Sequence, residues 1–185
     1  RVTRMRLGVM CSGNGTNFEN IVNNCTEHEV VLMVHNKKNC GAVERAERLG
    51  IPHVRLKTKQ DDERIELFKV WRVDYIILAG YMRILSPKFI DAFPNKIINI
   101  HPSLLPKFKG LNAVEQALES GDKTTGCTVH YVTEELDSGA IIDQSVVPIC
   151  FDDNVETLTH RVQQAEHRLL PLVINNLEES YAFKH

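Results

Sequence analysis

Two polar residues, Asn99 and His101, close an apolar segment of the sequence and are followed directly by Pro102. In a β-strand, the alternation of side chains places Asn99 and His101 on the same face. An asparagine amide can donate hydrogen bonds to an oxygen on which negative charge develops, and a histidine can exchange a proton near neutral pH. Pro102 disfavours helical backbone at His101, so the ring is predicted to stand on extended backbone at the strand end. Acyl transfer needs both of these roles.

A carboxylate can complete this pair. The acidic segment from Glu134 to Gly139 lies between two late predicted strands. One carboxylate there can orient His101 and keep its imidazole protonated, and Asp137, directly before a Ser-Gly pair, is our candidate. His130 lies inside a predicted strand and is expected to pack. The sequence contains neither an H-E-x-x-H motif nor a Cys/His cluster, so metal catalysis is not expected.

The segment from Cys11 to Asn17 follows the first apolar segment and contains Gly13 and Gly15. In α/β proteins such a loop exposes backbone N–H groups to an anion at the start of a helix. Phe18 stands where a dinucleotide-binding fingerprint has its third glycine, and no lysine follows as a P-loop requires. The loop therefore predicts a bound monophosphate. A tight turn into a capped helix, without a ligand, stays open as the alternative interpretation.

The elements that must position these residues follow from the apolar pattern. Short β-branched segments recur at regular intervals and predict strands at Met5 to Met10, Val30 to Val34, His53 to Leu56, Tyr75 to Leu78 and Ile97 to Ile100. Between them, helical patterns cover Asn17 to Asn24, Ala42 to Leu49 and Asp62 to Val70. The alternation of strands and helices predicts a doubly wound, mostly parallel sheet, a variant of the Rossmann fold.

The pattern changes in the second half of the chain. A helix is predicted from Asn112 to Ser120, followed by two alternating segments, Cys127 to Val132 and Ile141 to Val147, that can pair antiparallel. The last helical pattern runs from Val155 to about Leu177. We therefore expect an α/β fold with antiparallel C-terminal strands and a long C-terminal helix, in a single domain over residues 1–185.

Composition restricts the class of partner. The chain has 185 residues, 43% of them hydrophobic and 25% charged, and a net charge of -2, so it is expected to be globular and to bind small molecules rather than nucleic acid. No apolar segment has the length of a membrane span. The five scattered cysteines are expected to be reduced core thiols, which suits a cytoplasmic location. We expect a monomer or a weak homodimer. Because residue 1 is Arg rather than Met, the sequence does not decide whether the chain is a free enzyme or a part of a longer polypeptide.

Several motifs together resemble the folate-dependent formyltransferases, and within them the phosphoribosylglycinamide formyltransferase (glycinamide ribonucleotide transformylase) family. The matching segments are Ser12 to Asn17, Leu78 to Pro87, Asn99 to Pro106, Gly126 to His130 and Glu135 to Gly139. The resemblance implies transfer of the formyl group of the co-substrate 10-formyltetrahydrofolate to the amine of glycinamide ribonucleotide, in purine biosynthesis and without a metal.

The resemblance also implies site residues. It implies phosphate binding by Gly15, Thr16 and Asn17, a substrate contact from Glu166, a pterin site at Met82, Arg83, Ile84 and Leu85 with Asn99, and catalysis by Asn99, His101 and Asp137. The basic residue for the glutamate tail of the folate can be Lys57, Lys59 or Arg64. Phosphate binding is expected mainly in residues 1–100, and folate binding mainly in residues 101–185.

Three other functions are alternatives to formyl transfer onto glycinamide ribonucleotide. A formyltetrahydrofolate hydrolase uses water as the acceptor and needs no phosphate loop, so the loop at Gly13 and Gly15 counts against it. A methionyl-tRNA formyltransferase needs a further domain with a basic surface, whereas this sequence ends at residue 185 with a net charge of -2. A non-catalytic module that binds folate or nucleotide needs no proton-transfer residue at position 101.

Overall fold

A computed structural model of the chain describes residues 4–57 and 59–184, and these residues form seven strands and six helices. The strands are β1 (Arg6–Cys11), β2 (Glu29–His35), β3 (His53–Arg55), β4 (Tyr75–Leu78), β5 (Ile97–His101), β6 (Thr124–Tyr131) and β7 (Ile141–Pro148). The helices are α1 (Thr16–Asn24), α2 (Gly41–Leu49), α3 (Asp61–Val70), α4 (Pro87–Ala92), α5 (Ala113–Ser120) and α6 (Val155–Lys184). None of the helices in this described part is long and apolar enough to span a membrane.

All seven strands belong to one sheet, in the order β3-β2-β1-β4-β5-β6-β7. The first five strands pair in parallel, and β6 and β7 pair antiparallel at one edge. The prediction of a doubly wound, mostly parallel sheet with antiparallel C-terminal strands is therefore confirmed. The strand order reverses between β1 and β4, and in such sheets the crevice for a ligand forms outside the carboxyl ends of the strands at this point.

The parallel strands are buried on both faces, which explains why they read as continuous apolar segments. Val9 and Ile77 face a core with α1, α2, α5 and α6. Met10 and Ile76, the neighbouring positions on the same strands, face a second core with α3 and α4. The two cores fix the sheet between helix layers, so the strand ends that carry the site are held rigidly.

Two helices differ from the sequence predictions. Helix α4 was not predicted, although Ser86 caps its first turn by accepting a hydrogen bond from the amide of Phe89 (3.1 Å) and Pro87 occupies its start. With six residues, α4 is too short to show a helical apolar period. Helix α6 extends to Lys184 rather than ending near Leu177.

The cysteines are all free, as expected for reduced thiols. Cys11, Cys25 and Cys127 are buried, but Cys40 is half-buried and Cys150 is exposed. The prediction of five core thiols is therefore wrong for two of them. Cys150 follows the edge strand β7, where only one face of the backbone can be covered by the core.

Candidate active site

The candidate residues gather at the carboxyl ends of the parallel strands. The glycine loop follows β1, residues 79–86 follow β4, and Asn99 and His101 end β5. Asp137 comes from the loop between β6 and β7. Because β1, β4 and β5 share one direction, the loops after them open on the same edge of the sheet, next to the reversal of strand order. Strand β6 runs antiparallel to β5, so the loop after it starts at the other end of β5 and folds back until Asp137 lies 3.5 Å from His101.

Asn99 is positioned by a neighbouring histidine. The register of β5 and β6 pairs Asn99 with His130, and Nδ2 of Asn99 lies 3.4 Å from Nε2 of His130. Nδ1 of His130 lies 3.0 Å from the carbonyl oxygen of Tyr131, which assigns the ring proton to Nδ1 and leaves Nε2 as the acceptor for the amide. Burial lowers the pKa of His130, so its ring is neutral at pH 7. The second N–H of Asn99 can then serve a ligand.

His101 faces two oxygen acceptors. Its Nε2 lies 2.8 Å from the carbonyl oxygen of Phe108, and its Nδ1 lies 3.5 Å from Oδ2 of Asp137. The same carboxylate oxygen accepts a hydrogen bond of 2.8 Å from the amide of Gly110. Since only a doubly protonated imidazole can donate to both oxygens, the surroundings of His101 suit a proton donor. The structure thus brings the three predicted catalytic residues together.

His130 also contacts this group, which the sequence reasoning missed. Its Nε2 lies 3.8 Å from Oδ1 of Asp137 as well as beside Asn99. The expectation that His130 only packs was therefore incomplete, although its side chain is buried. Alternation along β6 predicts which side chains share a face with His130, but the sequence does not determine which residue of β6 lies opposite Asn99.

The loop that carries Asp137 has an unusual backbone. Asp137 has a φ of 50°, in the left-handed region that aspartate tolerates better than most residues. Two residues later, a Cβ on Gly139 would lie 1.7 Å from the carbonyl oxygen of Tyr131, so only glycine lets the loop approach β6 this closely. Nζ of Lys109 donates a 2.8 Å hydrogen bond to the hydroxyl of Ser138. These features fix Asp137 against His101.

The glycine loop leads into α1 with open backbone donors. Gly15 is the N-cap of α1 with a φ of 80°, and a Cβ there would lie 2.7 Å from Cα of Ala42. Only glycine satisfies both the backbone conformation and the contact with α2. The amides of Thr16 and Asn17 lie in the first helical turn, where N–H groups have no intrahelical acceptor. This is the geometry in which helices bind phosphate.

Glu166 on α6 reaches the start of α1. Its side chain is buried, and its Oε1 accepts a hydrogen bond of 3.4 Å from Nδ2 of Asn17. Oδ1 of Asn17 is buried without a hydrogen-bond partner among the described residues. Burial raises the pKa of Glu166 to about 7, and the bond from Asn17 opposes this shift.

This shift predicts a pH-dependent stability. The folded protein holds the Glu166 proton more tightly than the unfolded chain, whose pKa stays near the ordinary 4.5. Stability from this group is full below pH 4.5 and is lost as the pH rises through about 7, a loss on the order of 3 kcal/mol. Urea unfolding at several pH values measures it. Glu166→Gln should flatten this slope, and an unchanged slope in the variant would assign it to other groups.

Residues 82–85 form an irregular segment after β4, called the 82–85 segment below. Met82 and Ile84 are 63% and 76% exposed, Arg83 is exposed, and Leu85 is buried. The amide of Met82 donates a 2.8 Å hydrogen bond to the hydroxyl of Ser12 from the glycine loop. Backbone outside a strand ladder offers N–H and C=O groups to a ligand.

Of the three basic residues considered for the glutamate tail, Arg64 is excluded by its burial. It is 1% exposed, and its guanidinium bonds Asp61 and the hydroxyl of Tyr81 within the protein. The sequence alone does not distinguish a buried arginine on a helix from an exposed arginine that binds a ligand. Lys57 and Lys59 are exposed and remain available.

The chain matches known proteins over most of its length. The formyl transferase family model matches residues 5–174. The chain is 40% identical to phosphoribosylglycinamide formyltransferase of Escherichia coli over 182 residues, 92% of this chain and 86% of that protein. It is 44% identical to the trifunctional purine biosynthetic protein adenosine-3 of Gallus gallus over 94% of this chain, but it spans only 18% of that protein.

Solved structures agree with these relatives. Phosphoribosylglycinamide formyltransferase from Anaplasma phagocytophilum superposes with a TM-score of 0.93 at 39% identity, covering 96% of this chain and 89% of that one. Glycinamide ribonucleotide transformylase 1 from Symbiobacterium toebii gives a TM-score of 0.92 at 40% identity, with coverage of 96% and 89%. The family match, the sequence identity and the shared fold lead to one conclusion: the chain belongs to the formyl transferase family.

Proposed function

We propose that the chain transfers the formyl group of 10-formyltetrahydrofolate to the amine of glycinamide ribonucleotide, a step of purine biosynthesis. The observation that carries the proposal is the cluster of Asn99, His101 and Asp137 on the same sheet edge as the open amides of α1. An acyl-transfer group next to a phosphate site suits an amine acceptor that carries a phosphate. The names of the relatives support the same acceptor.

Each residue of the cluster has a distinct role in this reaction. The bound folate supplies the formyl group. Asn99 donates its free N–H to the formyl oxygen as negative charge develops there during attack by the amine. His101 holds a proton on the edge that faces Asp137 and delivers it to the folate nitrogen as the bond between that nitrogen and the formyl carbon breaks. The proton that the attacking amine loses on becoming an amide returns to His101. Asp137 orients the ring and compensates its charge.

Substrate binding divides between the two sides of the crevice. The phosphate binds the amides of Gly15, Thr16 and Asn17, and Glu166 accepts from sugar hydroxyls. The pterin packs on the 82–85 segment, and Lys57 or Lys59 meets the glutamate tail. Apart from the 82–85 segment, Asn99 and the lysine at the glutamate tail, folate contacts come from residues 101–185, and phosphate contacts come mainly from residues 1–100.

Turnover with both substrates tests the proposal. We expect formylated glycinamide ribonucleotide and tetrahydrofolate in equal amounts, at a rate that a metal chelator leaves unchanged. Release of formate at the same rate without the ribonucleotide would instead identify a formyltetrahydrofolate hydrolase. Binding of both ligands without any product would identify a non-catalytic module.

A further inference from the structure

A buried arginine links α3 to the segment that follows β4. Arg64 is 1% exposed and donates from Nη1 to the hydroxyl of Tyr81 at 2.9 Å. Its Nη2 donates to Oδ1 of Asp61 one turn earlier on α3. The guanidinium also lies over the ring of Phe89, 5.1 Å from the ring centroid. Burying this charge is costly unless it is fully paired, so the network is expected to have one defined geometry.

The same network contacts the other end of the 82–85 segment. Oδ2 of Asp61 accepts a 2.6 Å hydrogen bond from the hydroxyl of Ser86, the residue that caps α4. Arg64 and Asp61 therefore hold Tyr81 and Ser86, the residues that directly flank the segment. The planar guanidinium has its donors in a fixed fork, so it can set the spacing between Tyr81 and Asp61, whereas the ammonium group of a lysine cannot.

Within the segment, hydrogen bonds and packing hold only the two ends. Backbone pairing beyond β4 stops at Gly80 and α4 begins at Pro87, so residues 81–86 belong to no ladder or helix. Ser12 holds the amide of Met82 and the side chain of Leu85 is buried in the second core, whereas the side chains of Met82 and Ile84 are exposed. The path of the backbone thus depends on its flanking hydrogen bonds.

We propose that Arg64 is a positioning residue for formylfolate: through Tyr81 and Asp61 it fixes the backbone of the 82–85 segment in the shape that receives the pterin. The assignment of the pterin to this segment rests on the proposed function. Arg64 therefore affects folate binding indirectly, through the position of this segment, and does not contact the glutamate tail.

Tyr81→Phe is the most conservative test, because it removes only the hydroxyl that Arg64 bonds. We expect KM for 10-formyltetrahydrofolate to rise roughly ten- to a hundredfold, as small misplacements of binding groups do, with KM for glycinamide ribonucleotide unchanged. Arg64→Met should produce the same selective rise, and Arg64→Lys should recover only part of the loss. Equal changes in both KM values, or no change in either, would overturn the proposal.

The matched control is Lys88→Met. Lys88 pairs with Asp62 and so links the same two helices, α3 and α4, but on the surface. This variant should leave both KM values unchanged. Hydrogen exchange of the amides of residues 82–85 tests the positioning role even if wild type shows no turnover: Tyr81→Phe should speed exchange there and Lys88→Met should not. Unchanged exchange in Tyr81→Phe would contradict the proposal independently of the reaction.

Discussion

His101→Ala should lower kcat for formyl transfer by about a hundred- to ten-thousand-fold, the usual contribution of general acid-base catalysis. The ring is buried between the carbonyl of Phe108 and the carboxylate of Asp137, so water cannot easily replace it as a proton source. KM for both substrates should change much less, because the proton matters as bonds break rather than on binding. Steady-state kinetics with each substrate varied in turn separates the two effects.

His28→Ala is the control for this prediction. His28 is also a buried histidine, but it accepts from the amide of Met5 at the amino ends of the strands, away from the crevice. Its removal should lower stability and leave kcat near that of wild type. A loss of kcat in His101→Ala no larger than that in His28→Ala would show that His101 is structural.

The sheet and the catalytic cluster were predictable because their signals are local. Strands buried on both faces are continuous apolar segments, and the helices between them show a regular period. The position of Asn99 and His101 at a strand end follows from alternation and from Pro102. Parallel topology then brings that strand end to the same edge of the sheet as the glycine loop, with β4 between β1 and β5.

The missed features depend on contacts between distant residues. His130 joins the site through the register of β6 on β5, which depends on the packing of a long connection that includes α5 and that no single segment encodes. Arg64 has the composition of a surface residue, and only its contacts with Tyr81 and Phe89 reveal that it is buried. In both cases the side chain type was visible in the sequence but its partner was not.

Asn99→Ala should lower kcat about a hundred- to a thousand-fold, the usual cost of removing one oxyanion donor. Both Asn99→Ala and Asn99→Asp remove the donor to Nε2 of His130, so a comparison of the two variants isolates the effect of a negative charge beside the formyl oxygen. Asn99→Asp keeps the shape of the side chain but replaces its N–H donors with a negative charge. If Asn99 stabilises the formyl oxyanion, the new carboxylate repels the charge that the amide stabilised, and kcat should fall at least as far as in Asn99→Ala. Near wild-type kcat in Asn99→Asp would assign Asn99 to packing alone.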